Sequence, residues 1–351
     1  MVMAGGGFRF GYYLGMHAAA EDSGMAPDII LASCGGSLAA AIIHGLPDAA
    51  QRKQWLASQE MYRFMCSLRA APHVRPLPVL GAALLRGLSR GRARRVPDVF
   101  DDYMFELPET LPLPAANADG TALAIVAAKL LFGREQAGEL RGERALFAEV
   151  VLGPDRACGL LQGWRAPASF PAWSCGAVAP GLLLDSGMPV ADAVRSSITD
   201  MLYFSCHPHG GEHYMGGVID LFPIEIAHGL ARHVTMEAKP PFGQALAIPA
   251  LRKVLGIDGN ARLKHVHAQH AHAWVDTSDI SHALRGSGMQ KRIDWLGNRI
   301  RLAMPATLAE YVKDVDAQWQ YGYQRGMEAY ASPGLRLRHA TRFNRGNQCG
   351  S

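Results

Sequence analysis

Cys34 is the residue of this chain best placed to do chemistry. It follows the run Asp28-Ile29-Ile30-Leu31-Ala32-Ser33 and precedes Gly35-Gly36-Ser37 and an alanine-rich stretch. Apolar β-branched residues that end at small ones, then a helix former, outline a strand, a tight turn and a helix. In such an elbow the apex side chain stands free and the helix N-terminus points at what it attacks. The usual pattern is G-x-S-x-G; here it reads Ala32-Ser33-Cys34-Gly35-Gly36. A second glycine turn, Gly5-Gly6-Gly7, lies about two dozen residues earlier. Without Cβ atoms its backbone N–H groups can converge on one point, as an oxyanion requires. Nucleophile, oxyanion turn and helix N-terminus together indicate acyl transfer. A thiol is already partly ionised near neutral pH, and a helix N-terminus is expected to lower the Cys34 pKa further. Ser33 and Ser37 flank the apex, where an elbow turns neighbouring side chains away.

Other polar clusters carry less. His265, His267, His270 and His272 alternate over a short segment read as a strand or loop, with no carboxylate or cysteine at metal-site spacing nearby. No cofactor and no metal is expected. No G-x-x-x-x-G-K-[ST] stands anywhere, which argues against a nucleotide enzyme.

The elements that must position the site follow from periodicity and punctuation. A helix is predicted over 11–23, stopped at Gly24, and a strand opens at Pro27-Asp28. Helices are predicted over 38–45 and 51–68, and a buried strand over 145–152, closed by Gly153-Pro154. A short helix follows at 190–197. Residues 214–222 read as strand and turn, 224–233 as a helix with Pro223 at its first position, and 307–330 as a long amphipathic helix. Alternating strands and helices predict one α/β domain over 1–331 with a mostly parallel sheet. Residues 72–114, proline-rich and basic between Arg86 and Arg95, read as a lid or insertion, or as a solvated helix end; that arginine run would suit transient contact with a membrane surface. The tail 332–351 is basic and expected to be loose.

Composition narrows the class. Of 351 residues, 49% are hydrophobic, enough for a sizeable core. A formal charge of +4 and the lack of any zinc-finger or RNA-binding signature argue against nucleic acid. The six cysteines form no C-x-x-C pair. That suits free thiols in a reducing cytoplasm, the expected location. No secretory leader pattern and no apolar run of transmembrane length is read. Only Met1 to Ala4 precede the first glycine turn, so its strand is either short or preceded by chain upstream of Met1.

The segment from Gly5-Gly6-Gly7-Phe8-Arg9 through Gly15, Pro27-Asp28 and Ala32-Ser33-Cys34-Gly35-Gly36 resembles the patatin-like phospholipase family. It matches that family's oxyanion loop, first helix, strand and elbow in order. The family's Asp-Gly-Gly block appears as Met215-Gly216-Gly217-Val218-Ile219-Asp220-Leu221-Phe222-Pro223, and Ala193 to Ser197 resembles the helix before it. The resemblance spans about residues 3–235. It implies a three-layer α/β/α fold and lipid acyl hydrolysis or transfer by a Ser–Asp dyad, with Gly5, Gly6, Gly7 and Gly35 as the oxyanion donors.

Both dyad positions depart from that pattern: Cys34 stands at the serine and Met215 at the aspartate. A base must then come from elsewhere. His213 is the first candidate, because it lies two residues before Met215 and shares its side of a strand. His207 and His209 come next, and Asp220 reads as structural. Two functions remain in view. One is an acyl hydrolase or acyltransferase that takes lipid esters or acyl thioesters through a Cys34 acyl-enzyme. The other is a catalytically inactive protein on the same fold that binds lipid or a protein partner.

Overall fold

The computed structural model describes residues 1–351 except Gly6, 75–93, 245, 295–298 and 333–351. The tail and all of the arginine run but Arg94 and Arg95 therefore lie outside the described residues.

The chain begins with β1 (Val2–Met3), α1 (Gly11–Asp22), β2 (Ile29–Ser33) and α2 (Gly35–Gly45). Next come α3 (Ala49–Leu56), α4 (Gln59–Ser67), β3 (Arg69–Ala70), β4 (Phe105–Glu106), β5 (Ala122–Leu130), β6 (Phe147–Leu152), α5 (Asp155–Leu160) and β7 (Leu183–Asp185). The second half holds α6 (Val190–Ile198), β8 (His207–His209), β9 (Glu212–Met215), α7 (Ile224–Leu230) and β10 (Thr235–Ala238). It continues with α8 (Ala247–Val254), α9 (Gly259–Ala268), β11 (Ala273–Asp276), α10 (Ile280–Ala283), β12 (Gln290–Asp294), β13 (Arg299–Ala303) and α11 (Leu308–Ala331).

The central sheet runs β1-β2-β5-β6-β7, with the β8–β9 hairpin joined to β5. The pairs β1–β2, β2–β5 and β6–β7 are parallel, as is the neighbouring β10–β11 pair. β5–β6, β5–β9 and β8–β9 are antiparallel. Strands buried on both faces read as continuous apolar runs, and their alternate residues feed two cores. Ile30, Ala32, Leu123, Ile125 and Ala127 face a core shared with α1, α2, α4 and α11. Leu31, Ala124, Val126 and Ala128 face the other, closed by α7, α8 and α9. This is the expected three-layer α/β/α arrangement.

Several local expectations change. The helix read over 51–68 is two, because Ser58 accepts from the Met61 amide and starts α4 afresh. The histidine-rich segment opens as helix, not strand: the Asp258 side chain caps the Asn260 and Ala261 amides and α9 runs to Ala268. Residues 94–114 pack on the domain. Phe105 is fully buried, the Trp55 indole donates to the Pro112 carbonyl, and Arg195 donates to the carbonyls of Leu107, Pro108 and Glu109.

The long helix α11 lies against α1 at backbone contact. A Cβ on Gly15 would stand 2.0 Å from the Trp319 carbonyl oxygen, and one on Gly322 would stand 1.9 Å from that of Tyr12. Only glycine permits this approach. α11 also caps α1 from outside. Phe10 supplies no side-chain cap, and the Gly11 amide instead donates to Gln318 Oε1 at 3.1 Å.

Candidate active site

β2 ends at Ser33 and α2 begins at Gly35, so Cys34 alone makes the turn. Its φ of 47° and ψ of −132° lie where a residue with a side chain is strained. Three contacts hold it there. The Cys34 amide donates to Ser197 Oγ at 2.9 Å, Ser197 Oγ donates to the Val126 carbonyl at 2.6 Å, and the Ser37 hydroxyl donates to the Cys34 carbonyl at 2.6 Å. Gly217 lies directly over this junction. A Cβ there would come within 2.6 Å of Ser197 Oγ and 2.7 Å of the Cys34 nitrogen.

The partner of the thiol is a residue the sequence reading passed over. Cys34 Sγ stands 2.7 Å from Asp200 Oδ2, across 166 residues of chain. Asp200 follows α6, the helix that also carries Ser197. Its other oxygen, Oδ1, lies against Gly216. The Gly216 amide donates to the Thr199 carbonyl at 2.9 Å and fastens this segment to the turn after β9. Asp200 thus places a carboxylate beside Cys34, where Met215 offers none.

Burial pushes the Asp200 carboxyl up to about 7, against the downward pull of the Cys34 thiol and the Val218 backbone. Burial also pushes the Cys34 thiol well above its usual range, and the adjacent Asp200 charge adds to this. The Gly35 amide and the Lys239 charge act in the opposite direction and do not prevail. The expectation of a thiol ionised by the helix N-terminus is therefore corrected: desolvation outweighs the helix end.

The oxyanion turn adjoins the sulfur. A Cβ on Gly5 would stand 3.3 Å from Cys34 Sγ, and one on Gly35 would stand 2.5 Å from the Gly7 carbonyl oxygen. Gly7 itself has a φ of 63°. Gly6 lies outside the described residues. Behind the turn, Lys239 Nζ donates to the Gly5 carbonyl at 2.7 Å and to the Tyr12 hydroxyl at 2.9 Å. It pairs with Glu237 at 3.3 Å. Glu237, fully buried, accepts from Tyr13 at 2.9 Å and from Thr277 at 2.5 Å. Neither Lys239 nor Glu237 was anticipated.

The other anticipated residues are placed as follows. Met215 is fully buried in the core that Leu31 and Val126 share. His213 is not brought to Cys34. Val126 is level with Ser33 in the sheet and Ala128 with Met215, so His213 lies four rungs beyond Ser33, roughly 13 Å along the strand. Its ring meets Phe100 edge-on, with centroids 5.2 Å apart. His213 shares a side of β9 with Met215 but stands well along the strand from Cys34. Asp220 is held by Arg262, whose Nη2 and Nε lie 2.8 and 3.2 Å from its oxygens.

A family model described as patatin-like phospholipase matches residues 1–152. This part of the chain is patatin-like. The match takes in the oxyanion turn, the elbow and β5, and it ends before Ser197, Asp200 and Gly216. A search of curated proteins finds no match. The patatin-like elbow and its carboxylate are thus contributed by different stretches, one within the matched segment and one beyond it. No helix among the described residues is long and apolar enough to cross a membrane.

Proposed function

We propose that this protein is an acyl hydrolase or acyltransferase acting on lipid esters or acyl thioesters through a Cys34–Asp200 dyad. The observation that carries the reading is the 2.7 Å contact between Cys34 Sγ and Asp200 Oδ2 at a strained strand-to-helix apex. A carboxyl poised at about 7 is matched to general-base work near neutral pH. Cys34 attacks the acyl carbonyl as Asp200 takes the thiol proton, forming the C–S bond. Backbone amides of the Gly5–Gly7 turn and of Gly35 meet the oxyanion. The tetrahedral intermediate collapses with loss of the alkoxide or thiolate, which receives the proton from Asp200. Water or another acceptor then attacks the acyl-thioester, again with Asp200 as base, and frees Cys34.

One observation favours a catalytically silent protein that binds lipid or a partner at the same place. Cys34 retains only 9% of its surface, and its thiol is held neutral. Intact mass after exposure to short- and medium-chain acyl thioesters and p-nitrophenyl esters separates the two. A gain of one acyl group, absent in Cys34→Ala and slowed in Asp200→Asn, supports the enzyme. No adduct and no turnover with any donor supports the silent protein.

A further inference from the structure

The β8–β9 hairpin at the sheet edge faces the start of α6. His207 and His209 are two residues apart on β8 and so point to the same side. That side meets Asp192 in the first turn of α6. His207 Nε2 lies 3.0 Å from one Asp192 oxygen and His209 Nδ1 lies 3.6 Å from the other. One donor atom from each of the three residues falls within 4.8 Å of the other two. Bonds of about 2.0–2.1 Å in a tetrahedral zinc site separate ligand atoms by roughly 3.3 Å. The donors here spread up to 4.8 Å, so binding an ion requires side-chain rotations that draw them in. The neighbouring cation does not occupy it, since Arg195 donates to the carbonyls of residues 107–109. The three side chains keep 12%, 31% and 33% of their surface, so a cation has a path in from solvent.

We propose that Asp192, His207 and His209 bind a divalent transition-metal cation of the zinc class. Two imidazoles and one carboxylate form a borderline donor set suited to zinc, cobalt or nickel and poor for magnesium or calcium. The spacing of these residues, fifteen and then two, matches no zinc sequence pattern; the sequence reading expected no metal, having weighed only the cysteines and the His265–His272 run. A bound cation ties the hairpin to α6, whose other end presents Ser197 and then Asp200 to Cys34. It therefore braces the strut that delivers the carboxylate and takes no part in chemistry at the sulfur. The site stands independently of the acyl-transfer reading.

The test uses the full chain without an affinity tag, stripped with chelator and titrated with cobalt(II) and zinc(II). The expected result is one cobalt per chain, with visible d–d bands of a low-coordinate N/O site and no near-ultraviolet thiolate charge transfer. Zinc should displace the cobalt and raise the unfolding temperature. His209→Gln and Asp192→Asn should each weaken binding at least about tenfold, while Cys34→Ala leaves it unchanged. His209→Gln changes a partly exposed residue and serves if Asp192→Asn does not fold. Absence of binding overturns the proposal. So does a thiolate charge-transfer band, or binding that survives His209→Gln and disappears in His270→Gln/His272→Gln.

Discussion

The Asp200 carboxylate occupies the space that a side chain at Gly216 would fill: a Cβ there would stand 2.1 Å from Asp200 Oδ1 and 2.8 Å from its Cα. Gly216 is therefore the floor on which the carboxylate rests. Gly216→Ala should push Asp200 away from Cys34 and cost about 1–3 kcal/mol of stability through overpacking. Chemical denaturation measures the second effect. Acylation of Cys34, followed by intact mass, should fall by more than the loss of folded protein accounts for. An alanine variant that acylates at the wild-type rate would show that Asp200 is not the base.

Asp200 also gives the protein a pH signature. Its carboxyl titrates near 7 in the fold and near 3.9 in the unfolded chain. As a base it must be ionised, so the acylation rate should climb through pH 7 and level off above it. Stability runs the other way. Between the two values the folded state holds a proton that the unfolded state has lost, so the contribution is complete at low pH and is lost as pH rises through 7. Across that window the effect is roughly 4 kcal/mol. Asp200→Asn should flatten the rise in rate, lower the rate about 10²–10⁴-fold, and remain comparatively more stable at pH 8 than at pH 4. Denaturation curves at several pH values, set against the acylation profile, check both signs.

Lys239 is a positioning residue beneath the oxyanion turn. Lys239→Gln keeps a donor for the Gly5 carbonyl but removes the charge that opposes the rise of the Cys34 pKa. The pH profile of Cys34 alkylation should move upward. Lys239→Met removes the donor as well and leaves Glu237 buried without its cation, a change worth about 3–5 kcal/mol in denaturation.

Gln318 links α11 to the first turn of α1. Gln318→Leu strands the buried Gly11 amide and should cost about 1–3 kcal/mol. Because α1 directly follows the oxyanion turn, the same variant should slow acylation. Restoration by Gln318→Glu, which keeps an acceptor for that amide, would distinguish lost capping from lost packing.

The elbow was legible because strand, turn and helix are adjacent in sequence: Ile29 to Ser33, Cys34, then Gly35 onward. The layers were legible because β2 and the strand read over 145–152 are apolar runs that feed both cores. The acid was not, because nothing local ties position 200 to position 34. The one available signal was a lone carboxylate among Ile198, Met201, Leu202, Tyr203 and Phe204. A charge in such surroundings is seldom left unpaired. His213 failed because period-two reasoning gives the face of a strand but not its distance from a turn. The Lys239–Glu237 pair and Gln318 meet α1 through tertiary contacts 224 to 307 residues apart in sequence, beyond the reach of any motif.

The bond between Gly11 and Gln318 has a bearing on the order in which the protein is made. The ribosome releases the oxyanion turn and the elbow early, yet the residue that caps the intervening helix emerges 307 positions later. A nascent chain holding both glycine turns therefore lacks the clamp that fixes their separation, and the cleft matures only after translation has passed α11.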